Sequence, residues 1–161
     1  MSQTPAPTPA QAKPQPAPLP PEIVDSKYGS AAEIMALPVA KLVAILKDPR
    51  AAIYPKAKAC QRLAVTGDKT AVPALAALLA DPQLSLYARM GLEPNPDPSA
   101  GEALRSALST LKGIQLIGVI NSIGLRKDSK GLDALSRLRY DSDPAVAAAA
   151  DQALARVRPR L

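Results

Sequence analysis

A helical hairpin of about thirty residues cannot cover its own apolar face, so a chain that repeats such a unit must lay the copies side by side. This 161-residue sequence repeats. Asp68-Lys69-Thr70-Ala71-Val72-Pro73-Ala74-Leu75 and Asp128-Ser129-Lys130-Gly131-Leu132-Asp133-Ala134-Leu135 lie 60 positions apart, and at that offset Leu63 and Leu78 fall on Ile123 and Leu138. Gly101-Glu102-Ala103-Leu104-Arg105-Ser106-Ala107-Leu108 sits between them, with Ala103 and Leu104 placed 29 residues after Ala74 and Leu75. The period is near 30.

The local signals are helical. Val39, Leu42, Val43 and Leu46 follow the i, i+3, i+4, i+7 spacing of a one-sided helix, as do Leu104, Ala107, Leu108 and Leu111, and again Val146, Ala149 or Ala150, Ala153, Leu154 and Val157. Ile114, Leu116, Ile117, Val119, Ile120 and Ile123 surround a whole helix, which is expected to lie between neighbours. Ser30 with Glu33 forms a capping-box pattern, and Pro38 ends that turn and opens the next helix. Asp-Pro pairs at 48, 81, 97 and 143 supply caps, because Asp accepts from orphan amides and Pro at the first helical position loses no hydrogen bond. Pro55 is expected to hold 51–54 outside a helix over 56–65, and Asp97 to cap a helix over 99–111.

Four Tyr with no Trp and no Phe argue against most β architectures, which favour aromatic and β-branched residues. The first 21 residues hold 8 Pro, a composition that cannot bury apolar surface. The reading is an all-α, right-handed superhelix of about four hairpins over 30–161, behind a disordered Pro/Ala-rich tail over 1–29.

Chemistry is scarce. With no His, the commonest neutral-pH base and metal ligand is missing. Cys60, the one thiol, sits in an Ala-rich stripe and reads as core, although Lys56 lies one turn away. The carboxylates are dispersed at caps and surfaces, where they serve helix dipoles. No catalytic residue, cofactor or metal is expected. The longest apolar run, 71–80, is about half a membrane span. No apolar leader follows Met1, so the chain reads as cytoplasmic as written and as exported if a leader precedes it.

Lys58-Ala59-Cys60-Gln61-Arg62-Leu63-Ala64 with Gly67-Asp68-Lys69 and Ala71-Val72-Pro73-Ala74-Leu75, Tyr87-Ala88-Arg89 with Leu92-Glu93-Pro94, and Gly118-Val119-Ile120-Asn121-Ser122-Ile123-Gly124 with Arg126-Lys127-Asp128 resemble the HEAT-repeat region of large multidomain bacterial proteins, many of them exported. The likeness runs over about 36–157. It implies a protein-interaction scaffold accompanying other modules, with more repeats following than are present here. A looser similarity to the repeats of phycobilin lyases rests on generic spacing and carries no function.

The expected role is therefore non-catalytic protein binding to a partner of unknown identity. The expected surface is the inner face of the second helices together with the stiff loop of Glu93, Asn95 and Asp97. Arg89 is placed to pair with Glu93 at i+4, worth about 0.3–0.5 kcal/mol if exposed. Asn121, a polar group in an apolar helix, is expected to clamp the backbone of an adjacent loop if it is buried. Gly118 is expected to admit a neighbouring helix. Arg126, Lys127, Lys130, Arg137 and Arg139 with Arg156, Arg158 and Arg160 form a candidate basic strip, in a chain of net charge +6. That strip raises a rival function, polyanion or nucleic-acid binding, and an accessory, lyase-like partner of an enzyme is the third reading. The last helix shows no polar cap in sequence, which allows self-association.

Overall fold

The computed structural model describes residues 17–158, and over these the chain is mostly helical. A short antiparallel hairpin comes first, β1 (Val24–Asp25) paired with β2 (Gly29–Ser30). The Asp25 side chain accepts from the Lys27 and Tyr28 amides, and Gly29 takes the left-handed φ of +85° that closes the turn. The expected tail over 1–29 is thus corrected at its end: residues 24–29 are folded, and 1–16 lie outside the described residues. Tyr28 packs on the core while Lys27 and Tyr28 both bond Asp48. These two donors hold the Asp48 carboxyl well below the usual carboxylate range.

After α1 (Ala31–Met35), opened by the Ser30–Glu33 capping box, the helices come in four consecutive pairs. The first members are α2 (Val39–Lys47), α4 (Val72–Ala76), α6 (Pro98–Ala107) and α8 (Leu132–Leu138). The second members are α3 (Ile53–Thr66), α5 (Ser85–Leu92), α7 (Gly113–Leu125) and α9 (Pro144–Val157). Each second helix packs on its own first helix, and α3, α5, α7 and α9 also pack in succession on one another. The first helices α2, α4 and α6 do likewise.

The sequence repeat reappears as equivalent side chains. Leu42, Leu75, Leu104 and Leu135 are each fully buried, one per first helix, and Leu63, Leu92 and Ile123 are buried at matching places in the second. Asp68, Asp97 and Asp128 are one cap position in three successive pairs. Each accepts a backbone amide two residues on, from Thr70 at 2.8 Å, Ser99 at 2.9 Å and Lys130 at 3.1 Å. Single-turn 3-10 helices, Lys69–Ala71 and Ser129–Gly131, lead from two of these caps into α4 and α8.

Several local expectations shift. Asp97 and Asp143 do cap helices, but Asp48 ends α2, and Asp81 caps a turn that precedes α5. Pro55 lies inside the first turn of α3, which begins at Ile53, because the amide it lacks would have had no intrahelical partner there. α6 begins at Pro98 and stops at Ala107, leaving 108–110 in turns and Leu111 outside the helix. α7 is not apolar-buried all round, since Ile114 is 79% exposed.

The close helix approach occurs at Gly124 and not at Gly118. A Cβ on Gly124 would stand 2.9 Å from Ala153 Cα of α9, whereas one on Gly118 would meet the Arg89 guanidinium. α9 lays its whole apolar stripe on α7 and α8 and turns Asp151, Gln152 and Arg156 outward, so the bare edge suspected there is absent among the described residues. Because backbone cannot yield as a side-chain tip can, Gly124→Ala is expected to lower stability by about 1–3 kcal/mol despite the better helix propensity of Ala. A urea midpoint equal to the parent's would contradict this.

Candidate functional site

Five of the seven candidate residues, Arg89, Glu93, Asn95, Asp97 and Arg126, come together at or beside the junction between α5 and α7, while Asn121 and Lys127 do not, and the cause is the proline run after α5. Pro94 and Pro96 have no N–H, so the carbonyls of Met90 and Leu92 lack their i+4 donors and the helix stops. Arg126, the residue that ends α7, answers this. Its Nη1 donates to the carbonyls of Leu92, Glu93 and Asn95 at 2.8, 2.8 and 2.7 Å. A cation at the C-terminus of α5 also meets the negative end of its dipole. Arg126 is committed to the fold.

Asn95 is almost completely buried, with its amide donating to the Asp68 carbonyl at 3.1 Å and its Oδ1 accepting from the Asp97 amide at 3.0 Å. It is therefore the clamp between neighbouring pairs that was expected of Asn121. Asn121 itself is only half-buried and makes no side-chain hydrogen bond among the described residues. Asp97 receives the Ser99 amide and hydroxyl, which hold its carboxyl below the usual range.

Arg89 lies 3.7 Å from Glu93, as the i+4 spacing implies, but the pair is mostly buried and a third residue joins it. Arg89 Nη1 donates to the Gly118 carbonyl at 3.2 Å and to Ser122 Oγ at 3.4 Å, and Ser122 donates to Glu93 Oε1 at 2.6 Å. The absence of a side chain at Gly118 makes room for the guanidinium. Burial pushes the Arg89 pKa down, and Glu93 opposes this. Ser122 was missed in the sequence. Its position four residues after Gly118, on the same helix face, was the available signal.

Of the candidate basic strip, Arg126 is engaged as above, Arg139 pairs with Asp151 at 2.6 Å, and Arg160 lies outside the described residues; Arg105, outside the strip, pairs with Asp128. Lys127, Lys130, Arg137, Arg156 and Arg158 are exposed, Arg137 on α8, Arg156 on α9 and the others in the segments beside these helices. A shallow cleft of about 200 Å³ beside Arg105, Arg126, Asp128 and Lys130 collects part of the charge.

Cys60 is fully buried, and burial pushes its thiol up to about 12, which leaves it protonated and unreactive in the folded chain. No group of three or more His, Cys, Asp or Glu side chains is arranged to hold a metal ion among the described residues. No helix there is long and apolar enough to cross a membrane. No family model matches the chain, and a search of curated proteins gives no match either.

Asn95→Ala is expected to cost about 1–3 kcal/mol, because it strips a buried hydrogen-bonded group from two partners, while Asn121→Ala stays within about 0.5 kcal/mol of the parent. Equal denaturant midpoints for the two variants would refute the assignment. Lys127 holds φ of +51° at the position after α7 where the Asp128 amide returns to the Ile123 carbonyl and its own amide to Gly124. Glycine suits that left-handed place better, so Lys127→Gly should stabilise the chain by up to about 1 kcal/mol, seen as a raised melting temperature.

Proposed function

We propose that the chain is a non-catalytic protein-interaction scaffold whose helix pairs form a HEAT-type superhelix of about four hairpins. The single observation that carries this reading is the placement of exposed apolar side chains. Among the described residues of the four pairs, every large apolar side chain left open to solvent within a helix lies on a second helix. They are Ile53 and Val65 on α3, Leu86 and Met90 on α5, and Ile114 and Leu125 on α7. Val65, Ile114 and Leu125 are 78%, 79% and 58% exposed. Large apolar side chains left exposed on one set of helices favour association with another protein.

The loop of Glu93, Asn95 and Asp97 is bonded into the fold. Its polar side chains face the fold, and the expected role for it passes to the faces of α3, α5 and α7. Polyanion binding is the weaker reading, since Arg126 is satisfied by three carbonyls, Arg105 by Asp128 and Arg139 by Asp151.

Affinity capture from source-cell extract tests the proposal. The immobilised full chain should retain a protein that a Val65→Glu, Leu125→Glu double variant of unchanged helicity releases. Failure of the parent chain to retain any protein above a blank matrix would sink the reading.

A further inference from the structure

Between α5 and α7 lies an open cleft of about 220 Å³, and two of the residues that line it, Ser85 and Arg89, each carry a buried polar atom with no hydrogen-bond partner among the described residues. Ser85 is 6% exposed, yet its hydroxyl makes no hydrogen bond, and the Nε of Arg89 is equally shut from solvent and equally unpaired. Arg89 Nη2 also makes no hydrogen bond, in contrast to Nη1, which is held by Gly118 and Ser122. Buried polar groups in folded proteins are almost always satisfied, so two orphans on one wall mark a place where a polar group belongs.

The rest of the lining is apolar. Leu86 and Ile114 stand at the rim, 54% and 79% exposed, with Pro82 and Gln115 completing the wall. Donors at the floor and aliphatic carbon at the rim select a ligand with an acceptor head and an apolar flank. A charged acceptor fits best. Among the described residues the one carboxylate paired with Arg89 is Glu93, at 3.7 Å from Nη1, and Glu93 is already bonded by Ser122 at 2.6 Å. Arg89 thus lines the cleft with its Nε and Nη2 unbonded among the described residues, in a chain of net charge +6, and a positive field favours acidic ligands.

We infer that this cleft receives an acidic side chain of a partner protein, its carboxylate on Arg89 and Ser85 and a neighbouring aliphatic side chain between Leu86 and Ile114. The inference rests on the scaffold reading and specifies the partner's chemistry. The volume suits a side chain with its neighbour and is small for a folded element.

The test titrates the full chain, labelled for amide nuclear magnetic resonance, with a blocked Ala-Leu-Glu-Leu-Ala peptide and with its Gln counterpart. Saturable shifts are expected at Ser85, Leu86, Arg89, Ile114 and Gln115, with affinity falling about tenfold or more for the Gln peptide, the loss of a charge-assisted hydrogen bond. Ile114→Glu should abolish the shifts without disturbing the fold, since that side chain is exposed. Ser85→Ala should weaken binding severalfold while its denaturation midpoint stays equal to or above the parent's, because the hydroxyl satisfies nothing internally. Equal binding of both peptides, shifts centred elsewhere, or no saturation by about 10 mM, as a cleft that merely holds water would give, overturns the inference. Tighter binding of free isovalerate than of the peptide would assign the cleft to a small carboxylate instead and overturn the peptide. Capture of a partner from extract by Ile114→Glu as strongly as by the parent overturns the cleft alone, whereas absence of capture by the parent overturns the scaffold reading with it.

Discussion

The carbonyls at the end of α5 are the constraint on which the α5–α7 junction depends. A helix stopped by prolines loses the i+4 amides of its last turn, and the carbonyls at and just after its end need other donors, since buried unpaired carbonyls are costly. One guanidinium, from the last turn of α7, meets three of them. That bond fixes where α7 ends relative to α5, and the consequences run back along both helices. Arg89 comes to lie over Gly118, Ser122 comes within reach of Glu93, and the cleft between Ser85 and Ile114 opens at the far end.

Small residues let the helix pairs come this close. Gly124 brings α9 onto α7 at backbone distance, Gly118 houses a guanidinium, and the Ala-rich stripe of α9 is buried without loss of side-chain rotamer entropy. Where the helices are spaced by backbone contact, polar bonds between pairs need good geometry, and Asn95 to Asp68 and Arg105 to Asp128 supply it from one pair to the next. The polar side chains of this junction are thus absorbed by the fold. The open surface is apolar, on α3, α5 and α7.

Most of the fold was legible in one dimension because its determinants are local or periodic. The match between Asp68 and Asp128 foretold equivalent caps, and the stripes of α2 and α9 foretold which faces are buried. The candidate site was legible by neighbourhood more than by role. Arg89, Glu93, Asn95, Asp97 and Arg126 do converge, but as a joint. The clamp fell to Asn95 and not Asn121, because a proline-bound loop cannot satisfy its own carbonyls whereas a helical residue has its backbone already paired and can turn its side chain outward. Ser85 gave no signal at all, since an orphaned hydroxyl is defined by what is absent around it.

Helix type, caps, repeat length and the lack of a histidine-based chemistry follow from residue identity and spacing, which act over a few bonds or one helical turn. Whether a given arginine serves a carbonyl, a carboxylate or an incoming partner depends on groups some thirty residues away, brought within 3 Å only when the pairs pack. Arg126 and Arg89 look interchangeable in the chain. Packing spends the Arg126 Nη1 on carbonyls at and just after the end of α5, and leaves the Nε of Arg89, a residue that lines the α5–α7 cleft, without a partner among the described residues.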